Sequence, residues 1–168
     1  MLTRGGGRST HGGLYERLIS FHPRAVQSKE ICEESKNTQI TPVHMGLALL
    51  DQTATEGFTS RALTKIGADS GRLATALRAK AATLPKQDPA PDNVGVDSAL
   101  SKVFKAADAL RKKGGDSHIA IDHLLAGLIT DATIAKCFSD AGVNTPALLE
   151  ALKESRGGRK VRYSQRYV

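Results

Sequence analysis

Two histidines, two aspartates and two cysteines have the side-chain chemistry to hold a metal, move a proton or act as a nucleophile in this sequence. His44 and His123 each fall in the first turn of a predicted helix, Pro42-Val43-His44-Met45 and Ile121-Asp122-His123-Leu124. A metal ligand or general base needs partners at ligand spacing. Neither histidine has Cys, Asp or Glu clustered that way, and His118 and His123, five apart, point off different faces of a helix. Both histidines therefore read as structural. Cys32 and Cys137 lie within helical patterns as small core residues, with no disulfide framework or zinc spacing around them. Asp116 and Asp122 leave two readings open. One is a turn aspartate and a helix-N-terminal aspartate, positions where the residue is locally favoured. The other is an acidic rim on one side of the molecule.

No Gly-x-x-x-x-Gly-Lys-Ser/Thr loop, Gly-x-Ser-x-Gly elbow or His-Glu-x-x-His helix occurs. The glycines at 5–7 and 12–13 precede no predicted strand. The expectation is a chain that is not an enzyme, with no catalytic residue, no cofactor and no metal.

The formal charge is +7, but residues 1–19 carry +2 and residues 153–168 carry +5, which leaves 20–152 neutral with 15 residues of each sign. A nucleic-acid-binding body should carry its basic face on the fold. The basic excess here sits at the ends, so nucleic acid is not an expected partner. Arg162, Arg166, Tyr163 and Tyr167 would carry any such contact through phosphate pairing and base stacking. No apolar run approaches the roughly 18–20 residues of a membrane span, and no secretory segment is visible. Residues 1–19, with no acid before Glu16, read as a flexible tag-like or transit-like segment. The expected location is cytoplasmic, or an organelle matrix (mitochondrion or plastid) if that segment is a transit peptide.

An internal repeat organises what lies between. Ile40-Thr41-Pro42-Val43-His44-Met45-Gly46-Leu47-Ala48-Leu49-Leu50 aligns with Ile119-Ala120-Ile121-Asp122-His123-Leu124-Leu125-Ala126-Gly127-Leu128-Ile129 at an offset of 79 residues. Gly67, Leu73 and Leu77 align with Gly142, Leu148 and Leu152 at 75, so the second copy has a shorter loop. The same alignment sets Asn37 against Asp116 and Val43 against Asp122, so the repeat itself does not require the two acids. Each copy reads as four helices. Ser20 caps a helix to about Ser35 with the stripe Phe21, Ala25, Ser28, Ile31 and Cys32. Thr41-Pro42 opens the second by a capping hydroxyl and a proline at the first helical position. The third ends at Gly67, and the fourth starts near Asp69. After a proline-rich linker at 85–96, Asp97 caps a helix with the stripe Leu100, Val103, Phe104, Ala107 and Leu110. Three more follow, one over 121–130, one ending near Gly142 and one opening at Thr145-Pro146. A 65-residue unit is marginal alone, so two copies should share one aliphatic core. The predicted class is all-α: an eight-helix pseudo-twofold repeat of two four-helix units at 20–84 and 97–155, with a basic tail at 156–168.

These motifs resemble the double Clp repeat of Clp N-terminal domains. Ile-Thr-Pro-x-His-x-x-x-Ala-Leu-Leu at 40–50 resembles the first repeat, and Gly-Asp-Ser-His-Ile-Ala-Ile-Asp-His-Leu-Leu at 115–125 the second. Leu84-Pro85 resembles the junction between them, and Arg156-Gly157-Gly158 resembles the close of the domain in ClpB-type disaggregases. The resemblance implies a module on a flexible linker ahead of AAA+ ATPase modules in a hexamer. Such a module engages unfolded or aggregated polypeptide, partly through an apolar groove, for delivery to the central pore. It also implies a client-binding role for Asp116 and Asp122. The family's threonine before the first helix aligns with Leu18 and is not carried over. An alternative is a stand-alone Clp-repeat accessory subunit that docks on a Clp protease core or another complex through the basic tail.

Overall fold

The computed structural model describes residues 10–50 and 57–157. The basic tail from 158 onward and the first nine residues of the expected N-terminal segment lie outside the described part. Nine helices run through it: α1 Thr10–Phe21, α2 Pro23–Glu34, α3 Pro42–Leu49, α4 Phe58–Lys65, α5 Ser70–Ala81, α6 Ser98–Gly114, α7 Ile121–Ile129, α8 Ala132–Asp140 and α9 Thr145–Arg156. Two short strands, β1 Gln39–Ile40 and β2 Gly95–Val96, pair in parallel.

Sequence pattern explains most of these boundaries. Asp69, Asp97 and Asp131 accept backbone N–H bonds at the starts of α5, α6 and α8, which satisfies donors that a helix start leaves unpaired. Gly67, Gly115, Gly142 and Gly157 take positive φ between 60° and 73° just past α4, α6, α8 and α9. At α9 the cap is one residue earlier than expected: Asn144 accepts from Ala147 N–H at 3.1 Å, and Thr145-Pro146 form the first turn.

The N-terminal boundary differs more. Residues 10–19, set apart from the fold by composition, belong to α1, and the single helix expected over 20–35 breaks at His22-Pro23. His22 becomes the cap of α2, its Nδ1 accepting Arg24 N–H at 3.2 Å, because proline cannot continue a preceding helix but suits the first position of a new one. Phe21 thereby leaves the α2 stripe and stands 70% exposed at the end of α1. Leu110, expected in the α6 stripe, is 38% exposed, while the other four stripe residues are buried.

The repeats are α2–α5 and α6–α9. The helices α3 and α7, apolar nearly all round, are the buried centre of each, as such helices must be. They meet each other across the middle of the molecule. Four further contacts between repeats come in two matched pairs, α5 on α8 with α4 on α9, and α3 on α8 with α4 on α7, which is the pattern of a pseudo-twofold. The core is mostly leucine, isoleucine and alanine, with Phe104 its largest fully buried side chain. The 85–96 linker is not loose against this body. Pro85 O accepts from Thr38 N–H and Asn37 Nδ2, Gln87 N–H donates to Lys36 O, and β2 lies against β1.

The tightest helix contact is α6 on α7. A Cβ on Gly127 would stand 2.8 Å from the Val103 carbonyl oxygen and 3.2 Å from the Ala107 nitrogen, both backbone atoms that cannot yield cheaply. Gly127→Ala should therefore destabilise the chain by about 1–3 kcal/mol. Gly46→Ala, whose nearest neighbour would be a Leu77 methyl at 3.2 Å, should cost less because that side-chain end can shift. Urea denaturation of the two variants checks the order; equal midpoints would contradict it.

Candidate functional site

Each repeat is pinned at one place by a buried imidazole. In the first, His44 Nδ1 accepts the Thr41 N–H at 2.9 Å, and its Nε2 meets Asn37 Oδ1 at 2.9 Å. In the second, His123 Nδ1 accepts the Ala120 N–H at 2.8 Å, and its Nε2 meets Asp116 Oδ2 at 2.9 Å. An Nδ1 that accepts carries no hydrogen, so both rings are neutral Nε2–H tautomers. One ring thus satisfies the helix-start amide and holds the turn seven residues back. Burial pushes His44 down to about 4. Burial also lowers His123; the Arg156 cation acts the same way, against the raising influence of Asp122 and Asp116.

The repeats differ in what the imidazole holds. Asn37 is neutral and buried, its amide spent on Pro85 O. Asp116 is charged and buried, its side chain 2% exposed, and Arg156 at the end of α9 answers it. The Arg156 guanidinium forks: Nη1 donates to Asp116 Oδ2 and Nη2 to Asp122 Oδ1 at 2.5 Å. The two aspartates, six residues apart in sequence, are brought together on one cation. They do not form an exposed acidic rim, since Asp116 is enclosed and Asp122 is 18% exposed at its side chain and paired. On the other side of the turn, Arg111 Nη1 donates to Asp116 O at 3.0 Å while its Nε donates to Asp108 Oδ1 at 2.8 Å. The 115–120 turn is thus fastened to α6, α7 and α9 at once.

This fastened turn is one wall of a groove. The groove, about 390 Å³, lies between α1, the C-terminal half of α6 and residues 117–119. Leu14, Leu18, Phe21 and Ile119 supply its apolar surface. Leu18 and Ile119 are buried at its base, and Phe21 is the most exposed large hydrophobic side chain among the described residues. Arg17, His22, Asp108, Arg111 and His118 supply its polar edge. Burial, helped by the Arg24 charge, pushes His22 down to about 4, so it is neutral at pH 7. A wider cleft of about 1030 Å³ lies in the first repeat between α2, α3 and α5. Its edge mixes Glu30, Glu34, Arg78 and Lys86. The groove at α1 is the better-formed apolar site, because only there does a large side chain stand open to solvent beside buried leucine and isoleucine.

Arg156, Arg111, Asn37 and the α1 residues were not singled out as site residues by sequence reasoning. The repeat alignment of Asn37 with Asp116 carried part of the signal: a charge replacing an amide at an equivalent buried position needs a countercharge. Nothing local points to a residue 40 positions on.

The model of the Clp repeat (R) N-terminal domain matches residues 25–141. The heat shock protein hsp98 of Neurospora crassa is 30% identical over 161 residues, 85% of this chain and 17% of its own length. Chaperone protein ClpB 1 of Parasynechococcus marenigrum is 34% identical over 81% of this chain and 16% of its own. The chain therefore spans about a sixth of these relatives. Among solved structures, the Hsp104 N-terminal domain from Candida albicans superposes with a TM-score of 0.79 at 20% identity, over 87% of this chain and 95% of that one. The N-terminal domain of the ClpV1 ATPase from E. coli gives 0.68 at 19%, over 89% and 91%.

Removing one partner of a buried ion pair strands the other. Arg156→Ala should cost about 3 kcal/mol, and adding Asp116→Asn should restore much of it by recreating the Asn37–His44 pair in the second repeat. Additive losses in urea melts would contradict this. Stability should also depend on pH. His22 and His44 titrate near 4 in the folded chain against 6.5 ordinarily. The unfolded chain therefore binds more protons between these values, and stability is full above 6.5 and falls as pH drops toward 4. The urea midpoint should decline across that window, and less steeply in His44→Gln. Identical slopes would contradict the assignment.

Proposed function

Because the chain belongs to the Clp repeat N-terminal domain family, we propose that it is the polypeptide-receiving module of a ClpB-type AAA+ chaperone, and that unfolded or aggregated chains engage it at the α1–α6 groove. The single observation that supports this most is Phe21, 70% exposed beside buried Leu18 and Ile119. A client is flexible, apolar and varied in sequence. A site for it needs a shallow apolar trough with few fixed polar contacts and modest affinity, since tight binding of one segment would hinder release. Phe21 gives such a site an anchor whose ring is already in water and costs little to redirect.

In this reading Asp116 and Asp122 act at one remove. Through Arg156 and His123 they fix the turn that carries Ile119, so they set the shape of the groove wall rather than touch the client. ATP hydrolysis belongs to AAA+ modules of a larger protein, and this chain hands its client to them. The alternative, an accessory subunit docked through the basic tail, rests on residues 158–168, outside the described part.

Phe21→Ser should weaken binding of a permanently unfolded test protein about tenfold, equivalent to about 1.4 kcal/mol, without lowering the melting temperature. Anisotropy titration of the labelled client checks it; unchanged affinity would place the client elsewhere.

A further inference from the structure

The charges around the groove are of one sign once the ion pairs are assigned. Among the described residues, Asp108 is the only carboxylate on its lining. It is held by two cations, Arg111 at 2.8 Å and Lys112 at 3.2 Å. Burial would raise its carboxyl, but the hydrogen bonds from Arg111 and Lys112 outweigh that and keep it ionised below the usual range. On the lining the α6 wall is therefore balanced, Asp108 against Arg111, and its carboxylate has no charge left to offer a ligand. On the opposite wall Arg17 is exposed and makes no ion pair among the described residues, while its neighbour Glu16 is not on the lining. The nearby Asp116 and Asp122 are occupied by Arg156. Among the described residues, a lysine or arginine entering the groove meets no unengaged carboxylate on the lining, whereas an aspartate or glutamate meets Arg17. The first-repeat cleft, with both signs on its edge, shows no such bias.

We propose that the groove selects apolar client segments accompanied by carboxylates over those accompanied by lysine or arginine, with Arg17 as the residue that sets this preference. The proposal rests on the groove being the client site. Exposed ion pairs are individually weak, so the bias is modest and acts largely on encounter and on which of many apolar segments is held.

The test uses the 168-residue chain and three fluorescent peptides that share one Leu/Phe/Ile core, flanked by Asp and Glu, by Lys and Arg, or by Ser. At low salt the acid-flanked peptide should bind about two- to fivefold tighter than the base-flanked one, and the gap should close as salt screens it. Arg17→Glu should erase or invert the order of the acid-flanked and base-flanked peptides, read as the ratio of their two affinities. Equal binding of the charged peptides, a preference for the basic one, or an order that survives Arg17→Glu overturns the proposal. Phe21→Ser separates the two levels. If it weakens binding of all three peptides while the acid-flanked and base-flanked ones bind the unaltered chain alike, the groove stands and only the charge preference falls. If it changes nothing, or no peptide binds, the groove reading itself falls.

Discussion

A neutral imidazole buried at the start of α3, and its counterpart at the start of α7, are the constraint on which this fold turns. The central helices are apolar nearly all round, so their first-turn amides sit where water cannot reach. An unpaired amide there would cost as much as several favourable contacts return. At α3 a threonine hydroxyl is also available, but at α7 the cap is Ala120, and the histidine alone reaches back to the helix-start amide. The same ring's other nitrogen reaches outward to hold the preceding turn. The helix start, the turn and the helix before it are thus fixed by one side chain, and the position tolerates neither a charged imidazole nor a purely apolar replacement.

What the ring holds then diverges between repeats. In the first copy Asn37 is neutral and passes its remaining hydrogen bond to the linker at Pro85. In the second, Asp116 brings a charge into the interior, and the charge requires Arg156. That requirement ties the last turn of α9, the point where the chain leaves the described body, to the turn bearing Ile119. The groove wall and the exit of the chain are consequently parts of one hydrogen-bonded unit. In the first repeat, which lacks the charge, the corresponding turn is tied to the chain just past α5 by neutral hydrogen bonds to Pro85 instead.

Much of the architecture was legible because the sequence states it locally. Aspartates before apolar stripes and glycines after them mark helix ends, and the 79-residue offset announced the pseudo-twofold before any coordinates. The helix α1 was hidden because its first residues, Thr10-His11-Gly12-Gly13, carry two glycines and no apolar period. The helix as a whole packs on α2 and α6, a contribution that local propensity does not report. The break at His22-Pro23 was hidden because a proline near a helix start and a proline between two helices leave the same trace in sequence. The aspartates could be flagged but not interpreted. Whether a carboxylate forms a rim or a buried pair depends on where the countercharge lies, and Arg156 is 40 residues distant.

Under the proposed function, client chains lie in the groove bounded by α1, α6 and the 115–120 turn. The most direct test is a methyl NMR titration of the chain with an unfolded polypeptide, since Leu14, Leu18 and Ile119 report on that groove while Ile31, Leu47 and Leu50 report on the first-repeat cleft. The account predicts saturable shifts at Leu14, Leu18 and Ile119, with Ile31, Leu47 and Leu50 still. Shifts confined to the second set would contradict it.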